Sequence, residues 1–246
     1  MPRHPLLGLR ALVTLVALVV TAPVVSAQPN AELEQEVRDA LRRDRDLRRL
    51  EVGVDRGQVT LAGELDTFWE KSEAIRRALE VEGIDTVISE MTLPPPESDE
   101  DMVEDISRAV QRYPHYTLFD YIDGRIENGV VTLMGRVTAD REKAKELFER
   151  VAKIRGIQEV QNQIVTLTPS TEDDRLRNNI ARQVFNSPNF ERFSSLPNPP
   201  FHIVVDRGVV TLLGYVQTQI EYQDLERIVR QMDGVLRVVN NLQAIS

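Results

Sequence analysis

The sequence predicts an α+β protein made of three tandem αββαβ modules, each a three-stranded sheet with two helices on one face. Three observations predict this class. A Gly-x-Val-x-Leu-x-Gly segment occurs at Gly57 to Gly63, again at Gly129 to Gly135, and again at Gly208 to Gly214. A further glycine, Gly83, Gly156 or Gly234, follows each segment by about twenty residues. Around these anchors the apolar period changes in one order in every copy: helical, alternating, alternating, helical, alternating.

Ahead of the modules, Arg3, His4 and Arg10 form a short positive region. Ala11 to Val20 follow as an apolar stretch, and Val25-Ser26-Ala27 closes it with small residues. This predicts a signal peptide over residues 1–27, cleaved after Ala27, and hence export to the periplasm. The stretch is shorter than the roughly 20 residues of a membrane span, and Pro23 interrupts its far end. No cysteine follows it, which excludes a lipid-modified N-terminus and predicts a soluble product.

Module one is expected over 30–93. Its first helix begins after Asn30 and carries the stripe Leu33, Val37 and Leu41. Leu50, Val52 and Val54 alternate as the first strand, and Ala74, Ile75, Ala78 and Leu79 mark the second helix. Val87 and Met91 mark the last strand. Residues 94–98, with Pro94-Pro95-Pro96 and an acidic run from Glu97 to Asp101, predict a stiff spacer that leaves module one freer than the others.

Module two spans 99–168. Ser98 caps a helix with the stripe Val103, Ile106 and Val110; Ile122, Gly124 and Ile126 form the first strand. Ala144, Leu147, Val151 and Ile154 form the second helix, and Val160 and Ile164 the last strand. Module three spans 171–246, with Thr171 as cap, then Leu176, Ile180 and Val184. Phe201, Ile203 and Val205 follow, then Tyr222, Leu225, Val229 and Met232, then Val238 and Leu242.

The repeated glycines have backbone roles. Gly57, Gly129 and Gly208 end short polar turns between strands, where a left-handed residue fits a hairpin. Gly63, Gly135 and Gly214 close the second strands, where a bulge or a close backbone approach is expected. Gly83, Gly156 and Gly234 read as helix C-caps. Few glycines remain to cradle a phosphate.

Composition excludes several function classes. The chain has no cysteine, so it has no disulfide, thiolate ligand or Cys nucleophile. The formal charge of −9 falls to −11 once Arg3 and Arg10 leave with the signal, which argues against nucleic acid as a partner. His115 and His202 have no partner at metal-ligand spacing, so neither a metal nor a cofactor is expected. Helix-borne acids such as Glu142, Glu146 and Glu149 read as a solvated face. No serine lies in a nucleophile-elbow context, and no catalytic residue is expected.

The three Gly-x-Val-x-Leu-x-Gly segments, the Gly-(Val/Ile)-x-x-Val segments at 83, 156 and 234, and the Val-x-Asn at Val160 and Val238 together resemble the BON-domain family, in its multi-copy periplasmic form. The first copy departs from the pattern, with Ser89 in place of Asn and Leu65 in place of Val. The resemblance implies an αββαβ fold without catalysis. It also implies attachment to phospholipid membranes or other envelope components, often in osmotic or envelope stress tolerance.

Three features are candidates for binding. Arg42, Arg43, Arg45, Arg48 and Arg49 cluster where the first helix meets the first strand, and such a cluster grips lipid phosphates. Asp44 and Asp46 interrupt it, and a solvated helix end is the favoured reading. Eight of the twelve Phe and Tyr residues lie in helix-to-strand segments of modules two and three: Tyr113, Tyr116, Phe119, Tyr121, Phe185, Phe190, Phe193 and Phe201. They can dip into a bilayer interface or seal the two modules together; sealing is favoured. The outward face of the second strand is Gln58/Thr60/Ala62 in module one, but it is apolar at Val130/Met134 and Val209/Leu213, which calls for a cover.

The function expected is therefore a periplasmic adaptor that binds an anionic phospholipid surface or an envelope protein. The alternative is a protein-interaction or chaperone-like scaffold without lipid contact. A hydrolase is a third reading, which needs His115 or His202 to meet a carboxylate in a deep pocket. Oligomeric state, the partner's identity and the arrangement of the modules are not encoded in these patterns.

Overall fold

The computed structural model describes residues 30–196 and 198–245. The expected signal peptide, with Arg3, Arg10 and Ala27, lies outside these residues. The described residues form three αββαβ units in series. In the first, α1 (Asn30–Arg42) leads to β1 (Glu51–Asp55), β2 (Gln58–Glu64), α2 (Phe68–Leu79) and β3 (Thr86–Thr92). The second has α3 (Asp99–Gln111), β4 (Tyr121–Glu127), β5 (Val130–Val137), α4 (Lys143–Ala152) and β6 (Glu159–Thr166). The third has α5 (Thr171–Phe185), β7 (Phe201–Asp206), β8 (Val209–Val216), α6 (Gln219–Arg230) and β9 (Arg237–Ala244).

Every sheet has the same topology. The hairpin is antiparallel and the last strand returns parallel to the middle one, giving the orders β1-β2-β3, β4-β5-β6 and β7-β8-β9. The glycine segment thus supplies the central strand of each sheet. Its Val and Leu (Val59/Leu61, Val131/Leu133, Val210/Leu212) are fully buried toward the helices. Each unit has its own apolar core, as a helix stripe on one sheet face requires.

The hairpin turns are two residues long and left-handed at both positions: φ is 49° and 79° at Arg56-Gly57, 51° and 78° at Asn128-Gly129, and 50° and 72° at Arg207-Gly208. The glycine pattern alone points to one left-handed residue in each turn, where there are two. This is the geometry that matches strand twist, and it strains a non-glycine first residue by about 1–2 kcal/mol. In module three the α5 residue Asp173 offsets the strain, since its carboxylate accepts from Arg207 N at 2.7 Å and Gly208 N at 2.9 Å. Asn30 serves Arg56 N in module one at 3.1 Å.

Several element-level expectations need correction. Ser170, not Thr171, caps α5, accepting from Asp173 N. The α3 stripe is Met102, Ile106 and Val110, and Val103 is exposed; Leu79 of α2 is exposed too. The C-caps of α2, α4 and α6 are Glu80, Lys153 and Gln231, so Gly83, Gly156 and Gly234 sit in the turns beyond the caps, not in them. The strands run past Gly63, Gly135 and Gly214. At Gly135 the close approach is extreme: a Cβ would lie 2.0 Å from the Tyr121 carbonyl oxygen.

Module one is also less free than its spacer suggested. Phe68 and Trp69, at the start of α2, pack edge-on against Phe148 of α4 and join the module-two core. Lys153 lies over the Trp69 ring at 5.2 Å, and Gln158 donates to the Pro94 carbonyl at 2.7 Å. A proline spacer is still held in place when its flanks bury aromatic area. No described helix is long and apolar enough to cross a membrane.

Candidate binding surfaces

The arginine-rich segment folds around one apolar anchor. Leu47 is buried in the module-one core, so the turns on either side of it face outward with all five arginines exposed. Asp44, which the sequence places among them, turns the other way: it accepts from Arg77 at 3.2 Å and from Asp46 N at 3.1 Å. Arg42 reaches Asp39 at 3.6 Å and Arg49 reaches Asp66 at 3.4 Å. Arg48 donates to the Arg42 carbonyl. Among the described residues, Arg43, Arg45 and Arg48 have no carboxylate partner.

The aromatic candidates are placed inside the protein. Tyr113 is buried, donates to Glu146 Oε2 at 2.6 Å, and carries the Arg150 guanidinium over its ring at 5.1 Å. Burial, reinforced by that carboxylate, pushes its hydroxyl far above the ordinary tyrosine value. Phe190, Phe193 and Phe201 form an edge-to-face cluster in the module-three core. Phe119 packs on the same core from module two. Met134 and Leu213 are each half-buried on the outward face of their central strands.

The junction of modules two and three is built from the loop Tyr113–Asp120. Leu118, only 6% exposed, belongs to the module-three core, and its carbonyl accepts from Ile203 N on the free edge of β7 at 2.8 Å. Val204, on the outward face of β7, is 1% exposed, and Arg136 pairs with Asp206 across the joint at 3.3 Å. Beside it His202 packs on Tyr116 and Tyr121, with ring centroids at 5.2 and 5.8 Å. His115 instead stacks edge-on against Tyr113.

Under this loop lies a charged pair that the sequence patterns did not reveal. Asp120 is fully buried and accepts five hydrogen bonds: from Thr117 N and Oγ1, Thr138 N and Oγ1, and Lys143 Nζ at 2.8 Å. Lys143 is itself 1% exposed. Lys143 stands in a charged run and Asp120 between Phe119 and Tyr121, and neither position marks a buried pair. In module three Glu221 has the corresponding place one turn before the α6 core residue Leu225, as Lys143 does before Leu147, and it pairs with Arg192 at 2.5 Å. The polarity of the pair is therefore reversed between modules.

A cavity of about 890 Å³ opens beside the junction, between α3, β4 and the segment around Asn198. Its floor is Ile106, Val110, Ile122, Ile126 and Leu133, and its module-three wall includes His202 and Tyr215. His202 Nδ1 and Asn198 Oδ1 are buried there without a hydrogen-bond partner. Burial holds the His202 imidazole below the ordinary histidine value, against a weaker opposing pull from the Thr117 and Asp120 carbonyls and the Asp120 charge. Asp123 also lines the cavity, but its Oδ1 accepts from Gly124 N at 2.8 Å. No described cluster of His, Asp and Glu could hold a metal.

The lowered His202 value fixes a sign. The unfolded chain takes up this proton first, so the stability contributed by His202 is complete above about pH 6.5 and is lost as pH falls from there toward the folded value. Glu226, held low by hydrogen bonds from Asn240 and Arg230, acts with the same sign but in the lower carboxylate range. Melting temperature is therefore expected to fall between about pH 7.5 and about pH 5.5, and His202→Gln should flatten that slope. An unchanged slope in the variant would remove His202 as its source.

A family model described as BON domain matches residues 29–95, 98–168 and 172–245. Among solved structures, the C-terminal domain of CdsD, a structural protein of the type III secretion system of Chlamydia trachomatis, is similar at 12% identity. That match covers 89% of this chain and 100% of that one, with a TM-score of 0.25. A second structure of CdsD is similar at 13% identity, covering 87% and 94%, also at 0.25. No curated protein matches the chain.

Proposed function

The chain belongs to the BON-domain family, with three copies of the domain in series, and on that premise we propose that it is an exported, non-catalytic adaptor of the periplasm that attaches to anionic phospholipid surfaces through module one. The observation that carries this reading is the exposed trio Arg43, Arg45 and Arg48, with no carboxylate partner among the described residues. Guanidiniums already paired with carboxylates have little left to offer a phosphate. These three, with Asp44 turned away to Arg77, keep donors for one, although Arg48 gives its Nε to the Arg42 carbonyl.

Magnitudes support a local and reversible attachment. Each arginine near an anionic surface contributes about 1 kcal/mol, so the trio supplies roughly 3 kcal/mol, an effect that salt screens over about 10 Å at 0.1 M. The rest of the chain is acidic and adds no attraction, so contact is confined to this edge of the molecule. Co-sedimentation of residues 28–246 with vesicles tests the reading. Binding is expected to anionic vesicles at low salt, weakening as salt rises, with none to neutral vesicles. Equal binding to both kinds, or none at low salt, would contradict it and turn attention to a protein partner.

A further inference from the structure

Gly124 is one of two glycines of the described chain that stand outside the repeat, and its backbone does not require it. Its φ is not positive, and a Cβ there would meet nothing closer than the Thr132 carbonyl oxygen at 3.5 Å. The equivalent positions, opposite the same leucine of the central strand, are Val52 (with Leu61) and Ile203 (with Leu212). Both are buried and fill the space between first helix and first strand. In module two that side chain is missing, and the 890 Å³ cavity runs through the place it would occupy. A cavity of this size is within the range of about 300–1,000 Å³ typical of small-molecule sites.

Three observations select the occupant. The floor is apolar, and at its rim Val103, beside the buried stripe of α3, is an apolar side chain left 56% exposed. The edge of β4 that lines the cavity is not free to pair with a peptide, because Ile122 N is already bonded to the Tyr116 hydroxyl at 3.2 Å and Gly124 N to Asp123. An occupant that needs no backbone hydrogen bonds therefore fits better than an added strand. Finally, the cavity has one lining cation, Arg112 at the end of α3, and it has no carboxylate partner among the described residues. We propose that the slot between α3 and β4 binds a single long acyl chain, that of a fatty acid whose carboxylate pairs with Arg112.

This site is separate from the arginine edge of module one, and its test separates the two. Palmitate, kept below its micelle concentration, is titrated calorimetrically into residues 28–246. Saturable binding of one chain per protein is expected. Gly124→Val restores the side chain that modules one and three have and should weaken binding by about tenfold or more, since it takes the volume of several methylenes. Val103→Asp, at an exposed residue whose change leaves the core intact, should weaken it several-fold. Arg112→Gln should weaken palmitate but leave the binding of the uncharged long-chain alcohol unchanged. Vesicle binding should be unaffected by Gly124→Val. No binding by the unaltered chain, or full affinity in both Gly124→Val and Val103→Asp, would overturn the proposal, as would selective binding of apolar peptides in place of palmitate.

Discussion

Lys143→Ala is expected to destabilise the protein by about 3–5 kcal/mol, because it leaves the Asp120 charge buried without its counter-ion. Asp120 accepts five hydrogen bonds and is fully buried, so bulk water is kept from the pair. Removing Lys143 leaves that charge with only the neutral donors of Thr117 and Thr138 and no counter-ion beside it. Lys143→Met should cost nearly as much, since it keeps the aliphatic stem and loses only the ammonium. Lys145→Ala, which breaks an exposed pair with Glu142, should cost no more than about 1 kcal/mol. Urea unfolding of the three variants checks the ordering. Near-equal values for Lys143→Ala and Lys145→Ala would mean that water reaches the pair.

Leu118→Ala should act across a module boundary. The residue is in the module-two loop, yet its side chain is in the module-three core and its carbonyl closes the free edge of β7. A buried leucine truncated to alanine costs about 2–5 kcal/mol, the higher end where the site cannot collapse. The loss should appear in module three. Amide exchange of Phe201–Asp206 is expected to accelerate, with the module-one strand β2 unchanged. Acceleration confined to module two would show that Leu118 does not join the two units.

The contrast between these residues and the repeat explains what was legible in the sequence. The three glycine segments combine a period of two with glycines at fixed offsets, and each of those signals has a local cause, so the αββαβ order could be read residue by residue. Helix stripes are legible to within one residue: Met102 and Val103 are both apolar and adjacent, and only packing decides between them. Contacts between modules were not legible. Phe68, Trp69 and Leu118 carry no pattern that separates an apolar residue in its own core from one in a neighbour's. Asp120 and Lys143 were hidden for another reason: one stands alone between Phe119 and Tyr121 and the other in a charged run, and neither setting shows the pair until both partners are seen. Gly124 was visible as a departure in the first strand, but its meaning required knowing that the backbone there is ordinary.

Module one is proposed to meet an anionic surface through Arg43, Arg45 and Arg48. The most direct measurement compares the unaltered chain with the variant Arg43→Ser/Arg45→Ser/Arg48→Ser, by co-sedimentation with anionic vesicles over a salt series. All three side chains are exposed, so the fold is expected to survive the change. A loss of about 3 kcal/mol is expected, roughly a hundredfold in partition, together with a shallower dependence on salt. Unchanged partition and unchanged salt dependence in the variant would contradict it.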